Sequence, residues 1–290
     1  MPSSPLHEPV LTWYAAHARD LPWRRAEVTP WGVLVSEVML QQTPVARVAP
    51  AWEAWMRRWP TPIDLAADTA GEAVRQWGRL GYPRRALRLH AAATDCVGRF
   101  EGRVPDDYDG LRSLPGVGDY TAAAVLAFAF GRRAVVLDTN VRRVLARAVA
   151  GEALPRPSLT RAERDLADSV VPDADDAAAR WSVAVMELGA LVCTATDPGC
   201  ARCPVEASCA WQAAGAPAYD GPAHPVQRFA GTDRQVRGLL LGVLREAESP
   251  VPKAALDTVW DDPVQRERAL DSLVADGLVD PLPDLRYALP

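Results

Sequence analysis

LPGVGDYTAAAVLAFAFGRRAVVLDTNVRR, residues 114–143, decides the reading of the chain. It opens on a tight turn, Leu114-Pro115-Gly116-Val117-Gly118, and continues as an apolar helix from Asp119. A short extended piece follows and delivers an acid, Asp138, to the start of the next helix. Glycines allow positive φ and let a backbone come close to a neighbouring element. A turn that feeds a helix leaves backbone N–H groups pointing outward at its start, a natural seat for one phosphate. The same residues also fit a plain connector between two helices, so the rest of the chain has to choose.

At 290 residues, 49% hydrophobic and 24% charged, the chain has the composition of a soluble globular protein of one large or two modest domains. The N-terminal MPSSPLHEP has neither a basic nor an apolar leader region, and no apolar run reaches membrane-spanning length. A cytoplasmic, nucleoid-associated protein with no membrane partner is therefore expected. The net charge of −5 hides an asymmetry: residues 1–150 carry +4 and residues 151–290 carry −9. The basic excess falls on the half that holds the glycine turn, as a nucleic-acid footprint would. Lys253 is the single lysine, so Schiff-base chemistry from a lysine is excluded over the first 250 residues. Arginine serves phosphate binding equally well.

Helical period covers almost every segment. Thr29-Pro30 marks a helix start, with Thr as cap and Pro in the first turn, for WGVLVSEVMLQQ, which stops before Pro44. Further helices are predicted over 45–58, 69–78, 83–98, 106–113, 119–130, 139–149, 160–170 and 176–191, and only 134–137 (AVVL) reads as extended. The fold class is all-α up to residue 212. Residues 213–232, rich in Pro, Gly and Ala, read as a linker. Three helical patterns and LVDPLPDLRYALP then predict a winged-helix-like module over 233–290, although a generic small α+β cap fits the same pattern. Trp52, Trp55 and Trp59 are helically spaced and are expected in the core.

Four of the five cysteines fall within 17 residues as Cys193-x6-Cys200-x2-Cys203-x5-Cys209. In a cytoplasmic chain such clustering means a metal site rather than disulfides. Zinc is held by many Cys₄ sites with a CxxC. A single short run with unequal gaps suits a [4Fe–4S] cube better, because one loop wraps round it. Cys96, in an alanine-rich helix, is expected to be a buried small hydrophobe.

The glycine turn, the following acid and the Cys₄ loop together resemble the endonuclease III superfamily of base-excision DNA glycosylases, over roughly residues 10–212. The resemblance implies the all-α helix–hairpin–helix glycosylase fold, with an iron–sulfur subdomain over 1–22 and 131–212 and a six-helix-barrel subdomain over 23–130. It implies that Gly116, Val117 and Gly118 grip a DNA phosphate, that Asp138 is the catalytic aspartate, and that Cys193, Cys200, Cys203 and Cys209 ligate the [4Fe–4S] cluster. Tyr120 stands where members that also cut the strand carry a Schiff-base lysine, so a monofunctional enzyme without lysine-based lyase activity is implied. Asn140 matches a residue that hydrogen-bonds the carboxylate and sugar region. Asp138 also fits the cap of the 139–149 helix.

SEVMLQQT, residues 36–43, is similar to the signature of MutY-type adenine glycosylases, whose glutamate, here Glu37, is the catalytic acid. Chemistry supports this assignment: adenine leaves poorly as an anion, so its N7 must be protonated first, and a carboxylic acid with a raised pKa in a dry pocket does that. The apolar neighbours of Glu37 in sequence favour such a pocket over a solvent-facing helical position. Asp138 would stabilise the oxocarbenium-like sugar and Glu37 would activate the water. The target base must leave the duplex. The resemblance places Gln42 and Tyr82 as wedges with Leu40 alongside, and puts Trp23 and Arg24 in the turn lining the adenine pocket. Arg84, Arg85 and Arg88 would reach phosphates, at least one of them with a solvated charged face as the plainer alternative.

Three departures from the resemblance stand out. Thr139 replaces a usual Gly, and Val183 stands where members carry a Gln or Glu that touches adenine. Only 81 residues follow Cys209, too few for the MutT-like domain that reads 8-oxoguanine. The expected activity is removal of adenine mispaired with 8-oxoguanine or guanine. Its partner is duplex DNA containing a mispair, and a monomer suffices. The alternatives are a thymine or uracil mismatch glycosylase on the same scaffold, and a non-catalytic iron–sulfur DNA-binding protein.

Overall fold

A computed structural model describes residues 4–221 and 229–290, and the chain is mostly helical with one small sheet at its C-terminal end. In order, the helices are α1 (His7–His17), α2 (Pro30–Leu40), α3 (Val45–Arg58), α4 (Pro62–Ala67), α5 (Ala70–Trp77), α6 (Arg84–Arg99) and α7 (Tyr108–Arg112). They continue with α8 (Asp119–Phe130), α9 (Thr139–Leu145), α10 (Arg161–Val170), α11 (Asp175–Leu191) and α12 (Ala210–Ala213). After the linker come α13 (Asp233–Glu246), β1 (Val251–Pro252), α14 (Lys253–Leu256), α15 (Pro263–Ala275), β2 (Asp280–Leu282) and β3 (Arg286–Ala288). Residues 222–228, the middle of the expected linker, lie outside the described residues.

Local chemistry sets the helix starts. Thr29 Oγ1 accepts from the Gly32 N–H, as the Thr-Pro pair predicts. Thr61 with Asp64 and Thr160 with Glu163 form reciprocal capping boxes at α4 and α10. Asp262 caps α15, with Pro263 at its first position. The short α4 follows the Pro60-Thr61-Pro62 stretch and is signalled in sequence by Thr61-Pro62 and the Thr61–Asp64 spacing alone.

The chain divides into two compact units. Among the described residues, one comprises residues 4–33, 106–112 and 117–221. Its core packs α1, α9, α10 and α11 around Val10, Val141, Val144, Ala184 and Leu188, with the His7 ring edge-on to Trp181 at 4.8 Å. A second cluster explains residues 134–137, which form neither strand nor helix. Ala123, Ala124 and Ala127 of α8 present small side chains, so the segment lies close and buries Val136 against them. The absence of bulk on α8 thus guides the chain to Asp138.

The other unit comprises residues 34–105, 113–116 and 229–290 of the described chain. Trp55 meets Trp59 and Trp77 edge-to-face at 4.6 and 5.7 Å, geometry worth about 0.5–1.5 kcal/mol per pair beyond the buried area. Trp52, Trp55 and Trp59 are buried as expected, and so is Cys96. Within this unit the C-terminal residues pack on α5. Arg75 caps the end of α13, donating to the carbonyls of Leu244 (3.4 Å), Arg245 and Ala247 (2.9 Å). Arg245 returns the favour to α5 at the Val74 carbonyl (3.0 Å). A Cβ on Gly71 would lie 2.2 Å from the Pro290 carbonyl oxygen, so glycine is what allows the C-terminal end to seat there. The sheet is antiparallel in the order β1-β3-β2, with Val251 opposite Tyr287 and Pro281 opposite the same residue on the other side.

Candidate active site

The glycine turn joins α7 to α8. Leu114 and Val117 point inward at 2% and 5% exposure, while Gly116 and Gly118 are exposed. Gly116 adopts φ +81°, and a Cβ there would meet the Arg88 side chain at 2.9 Å, so both conformation and space require glycine. Gly118 is different: at φ −95° it is extended and serves as the N-cap of α8, with open space where a side chain would be. The turn therefore presents the unblocked N-terminus of a 12-residue helix.

α2 is buried all round, and residues 31–39 are all buried. Glu37 lies in this run at 5% exposure, which removes the solvent-facing alternative. Most glutamates are exposed, and one taken out of water needs a reason. Leu40 is half-buried at the end of the helix, and Gln42 follows, exposed and at φ +55°. Tyr82, 45% exposed, has φ +47° in the bend before α6. A side-chain-bearing residue in this left-handed region is uncommon and is held by its surroundings.

Asp138 is the N-cap of α9: its Oδ1 accepts from the Val141 N–H at 2.6 Å, and its Oδ2 accepts from the Asn140 amide at 2.7 Å. Burial pushes its carboxyl pKa up, and this outweighs the opposing pull of the Val141 and Asn140 hydrogen bonds and the Arg143 charge. The Asn140 Oδ1 in turn accepts from Arg143 (2.8 Å), which also donates to the carbonyls of Gly189 (2.8 Å) and Cys193 (2.6 Å). A Cβ on Gly189 would approach the Asn140 Cβ to 2.7 Å, so α11 comes within backbone distance of α9 only because residue 189 is glycine. Thr139 is exposed, Val183 is half-buried on α11, and Tyr120 is half-buried against the alanine cluster of α8.

Trp23 is buried, and Arg24 turns to Glu187 at 2.8 Å. Arg19 binds the same carboxylate through Nε and Nη2, each at 2.7 Å. Glu187 has no exposed side-chain surface. Burial alone would raise its pKa, but the Arg19 and Arg24 hydrogen bonds win and hold it down at about 2.

The four clustered cysteines line one cavity together with Val144, Leu188, Val192 and Val205. The cavity is partly open to solvent. Among the described residues no three His, Cys, Asp or Glu side chains converge closely enough to chelate a single ion. Burial pushes the Cys203 thiol up to about 11 and raises Cys193 as well. Arg147, 4% exposed, reaches the Cys193 sulfur at 3.4 Å, donates to the Thr194 carbonyl at 2.7 Å, and lies 4.8 Å from the Trp211 ring.

One expectation for the arginines changes. Arg85 is 5% exposed and turned inward onto backbone carbonyls, so it does not offer itself to phosphate. Arg84 pairs with Asp276 at 3.2 Å. Arg85, Arg143, Arg147, Glu187 and Gly189 are structural participants that sequence reading missed. Arg143 and Arg147 had one usable signal, their spacing on an otherwise apolar helix, VRRVLARAVA.

Residues 35–168 match the family model of the HhH-GPD superfamily base excision DNA repair protein. The chain is 53% identical to an adenine DNA glycosylase of Mycolicibacterium smegmatis over 97% of this chain and 94% of that protein. A human adenine DNA glycosylase is 42% identical over 69% of this chain and 38% of its own length. Among solved structures, a thermostable thymine-DNA glycosylase superposes with a TM-score of 0.65 at 27% identity, covering 72% of this chain and 95% of that one.

Proposed function

This chain belongs to the adenine DNA glycosylase family within the helix–hairpin–helix superfamily, and from that premise we propose that it hydrolyses the N-glycosidic bond of adenine mispaired with 8-oxoguanine or guanine in duplex DNA. The observation that carries this reading is the buried glutamate. Glu37, at 5% exposure in a helix that is apolar on every side, suits a carboxyl that arrives protonated and gives its proton to N7 of adenine. Positioned acid catalysis of this kind is worth about 10²–10⁴-fold.

Loss of the base leaves positive character on the sugar. Asp138, fixed by Val141 and Asn140, is the group to face that charge once ionised, and it needs no reorganisation to do so. Glu37, having lost its proton, then takes one from the attacking water. Gln42 and Tyr82, exposed and held at positive φ, fill the space the extruded base leaves, and the start of α8 holds a phosphate through Val117, Gly118 and the N–H groups that follow.

The reaction stops at the abasic site. Tyr120 offers no amine, and Lys253 is committed to ion pairs with Asp257 (2.8 Å) and Glu267 in the C-terminal residues. The Asp257 hydrogen bond, followed by that of Glu267, raises its pKa and keeps it protonated.

The cysteine cavity fits a [4Fe–4S] cluster held by Cys193, Cys200, Cys203 and Cys209. The four thiols line one cavity, and Arg143 and Arg147 set positive charge beside thiols that binding would deprotonate. The cluster would supply structure, pinning the loop that receives Arg143. The three helices and antiparallel sheet of 233–290 are read as a winged-helix-like module.

A panel of duplexes holding A opposite 8-oxoguanine, G or C, together with T·G and U·G, tests the reading after alkali treatment. Breaks at A opposite 8-oxoguanine and G are expected. Breaks confined to T or U duplexes would sink it in favour of a thymine or uracil glycosylase, the first being the activity named for the thymine-DNA glycosylase it resembles. Breaks before alkali would overturn the monofunctional assignment. Visible absorption with about four irons per chain, against colourless protein containing zinc, decides the metal.

A further inference from the structure

Arg85 opens α6, yet its guanidinium is directed into the protein. Nη1 donates to the carbonyls of Val38 (2.8 Å), Met39 (3.0 Å) and Gln41 (2.6 Å), and Nη2 donates to Thr43 Oγ1 (2.9 Å) and the Gly81 carbonyl (3.0 Å). All five acceptors are uncharged oxygens. The group also lies 5.1 Å from the Trp77 ring centroid and 5.6 Å from that of Tyr82. A buried cation is costly, and a planar fork is the side chain able to serve so many fixed acceptors at once.

Two acceptors, Val38 and Met39, lie in the last turn of α2, and the other three belong to two bends far apart in sequence. One follows α2 and carries Gln42; the other precedes α6 and carries Tyr82. The Gln41 carbonyl belongs to the peptide group immediately before Gln42, and the Gly81 carbonyl to the one immediately before Tyr82. The orientation of that peptide group is what φ of the next residue describes. Arg85 therefore holds the two peptide planes whose φ values, +55° and +47°, are unfavourable for residues with side chains.

We propose that Arg85 is a positioning residue that sets Gln42 and Tyr82 as a matched pair by gripping the peptide group in front of each. This rests on the wedge reading of those two side chains. Loss of the grip lets either bend relax to a commoner conformation and turns its side chain away from the DNA. The Glu37 helix loses the donor on its Val38 and Met39 carbonyls but keeps its internal hydrogen bonds and its packing.

A mutant cycle tests this, with Arg85→Lys, which keeps the charge but not the fork, made in the wild type and in a Gln42→Ala/Tyr82→Ala background. Single-turnover adenine release from a mispaired duplex at saturating protein should fall about tenfold in the wild type, and less than about twofold further in the background lacking both wedges. The melting temperature should fall equally in both. Equal losses of rate in the two backgrounds would overturn the proposal, because Arg85 would then act on Glu37 or on the fold at large. If Arg85→Lys lacks a cooperative melt, Thr43→Val, which removes one acceptor, is carried through the same cycle and judged by the same two outcomes. A wild type that releases no adenine refutes the glycosylase reading, and a wedge-free variant at the wild-type rate refutes the wedge assignment. Either also overturns the proposal, by a result separate from an additive cycle.

Discussion

Glu37 stands inside a helix whose residues 31–39 are all buried, whereas Asp138 stands at a helix start with an N–H and an amide aimed at its two oxygens. A carboxyl taken out of water needs a partner or a proton. A capped helix start with donors and a nearby guanidinium favours the carboxylate, although for Asp138 burial still pushes the pKa up. The difference teaches that one chain holds one carboxyl inside an apolar helix and another under fixed donors, the surroundings that the proposed acid and the proposed counter-charge would each need.

The most severe way to break the comparison is Glu37→Gln. Base release from adenine duplexes should drop by about 10³-fold while duplex affinity holds, measured by single-turnover cleavage and by binding of uncut DNA. Retained activity would mean that Glu37 is not the acid. Asp138→Asn should lower the rate by about 10²–10³-fold, since the charge facing the sugar is gone. Its effect on stability has the opposite sign. With a raised folded pKa, the ionised Asp138 costs stability once pH rises through that value, and Asn caps a helix as well as Asp does. The variant should therefore melt at or above the wild-type temperature at neutral pH, and the wild-type rate should fail on the acid side at a higher pH than an ordinary carboxylate would dictate.

Glu187→Gln should leave Arg19 and Arg24 without their buried charge and cost about 3–5 kcal/mol in denaturant unfolding. Because its folded pKa is depressed to about 2 from 4.5, the wild-type contribution, about 3 kcal/mol, is present above pH 4.5 and disappears as pH falls toward 2. Melting curves across that window check the sign. Gly189→Ala is the mildest, about 1–3 kcal/mol of overpacking against Asn140. If Asn140 sets the Asp138 carboxylate, the rate should fall beyond what the stability loss explains.

Most elements were legible because they rest on local signals. Thr29-Pro30 starts α2, the tryptophans of α3 repeat at core spacing, and Gly116 marks a turn that needs positive φ. The arginines were not legible. Arg85 lies in RRALRLH, which reads as a charged helical face, and nothing near it in sequence reveals that four of its five acceptors lie 42–47 residues upstream. Glu187 likewise reads as an ordinary helical acid until Arg19 and Arg24 arrive from the other end of the chain. AVVL looked extended because β-branched residues favour strands. It forms no strand, and α8 alanines take up its side chains instead.

The exchange of arginines between α5 and α13 has a consequence for how the protein comes apart. Arg75 holds the end of α13, Arg245 holds the end of α5, and the last residue rests on Gly71. Residues 233–290 are therefore clamped from both sides rather than tethered. A protease that nicks the Pro- and Gly-rich stretch between residues 213 and 232 should yield two fragments that travel together through gel filtration and separate only in denaturant.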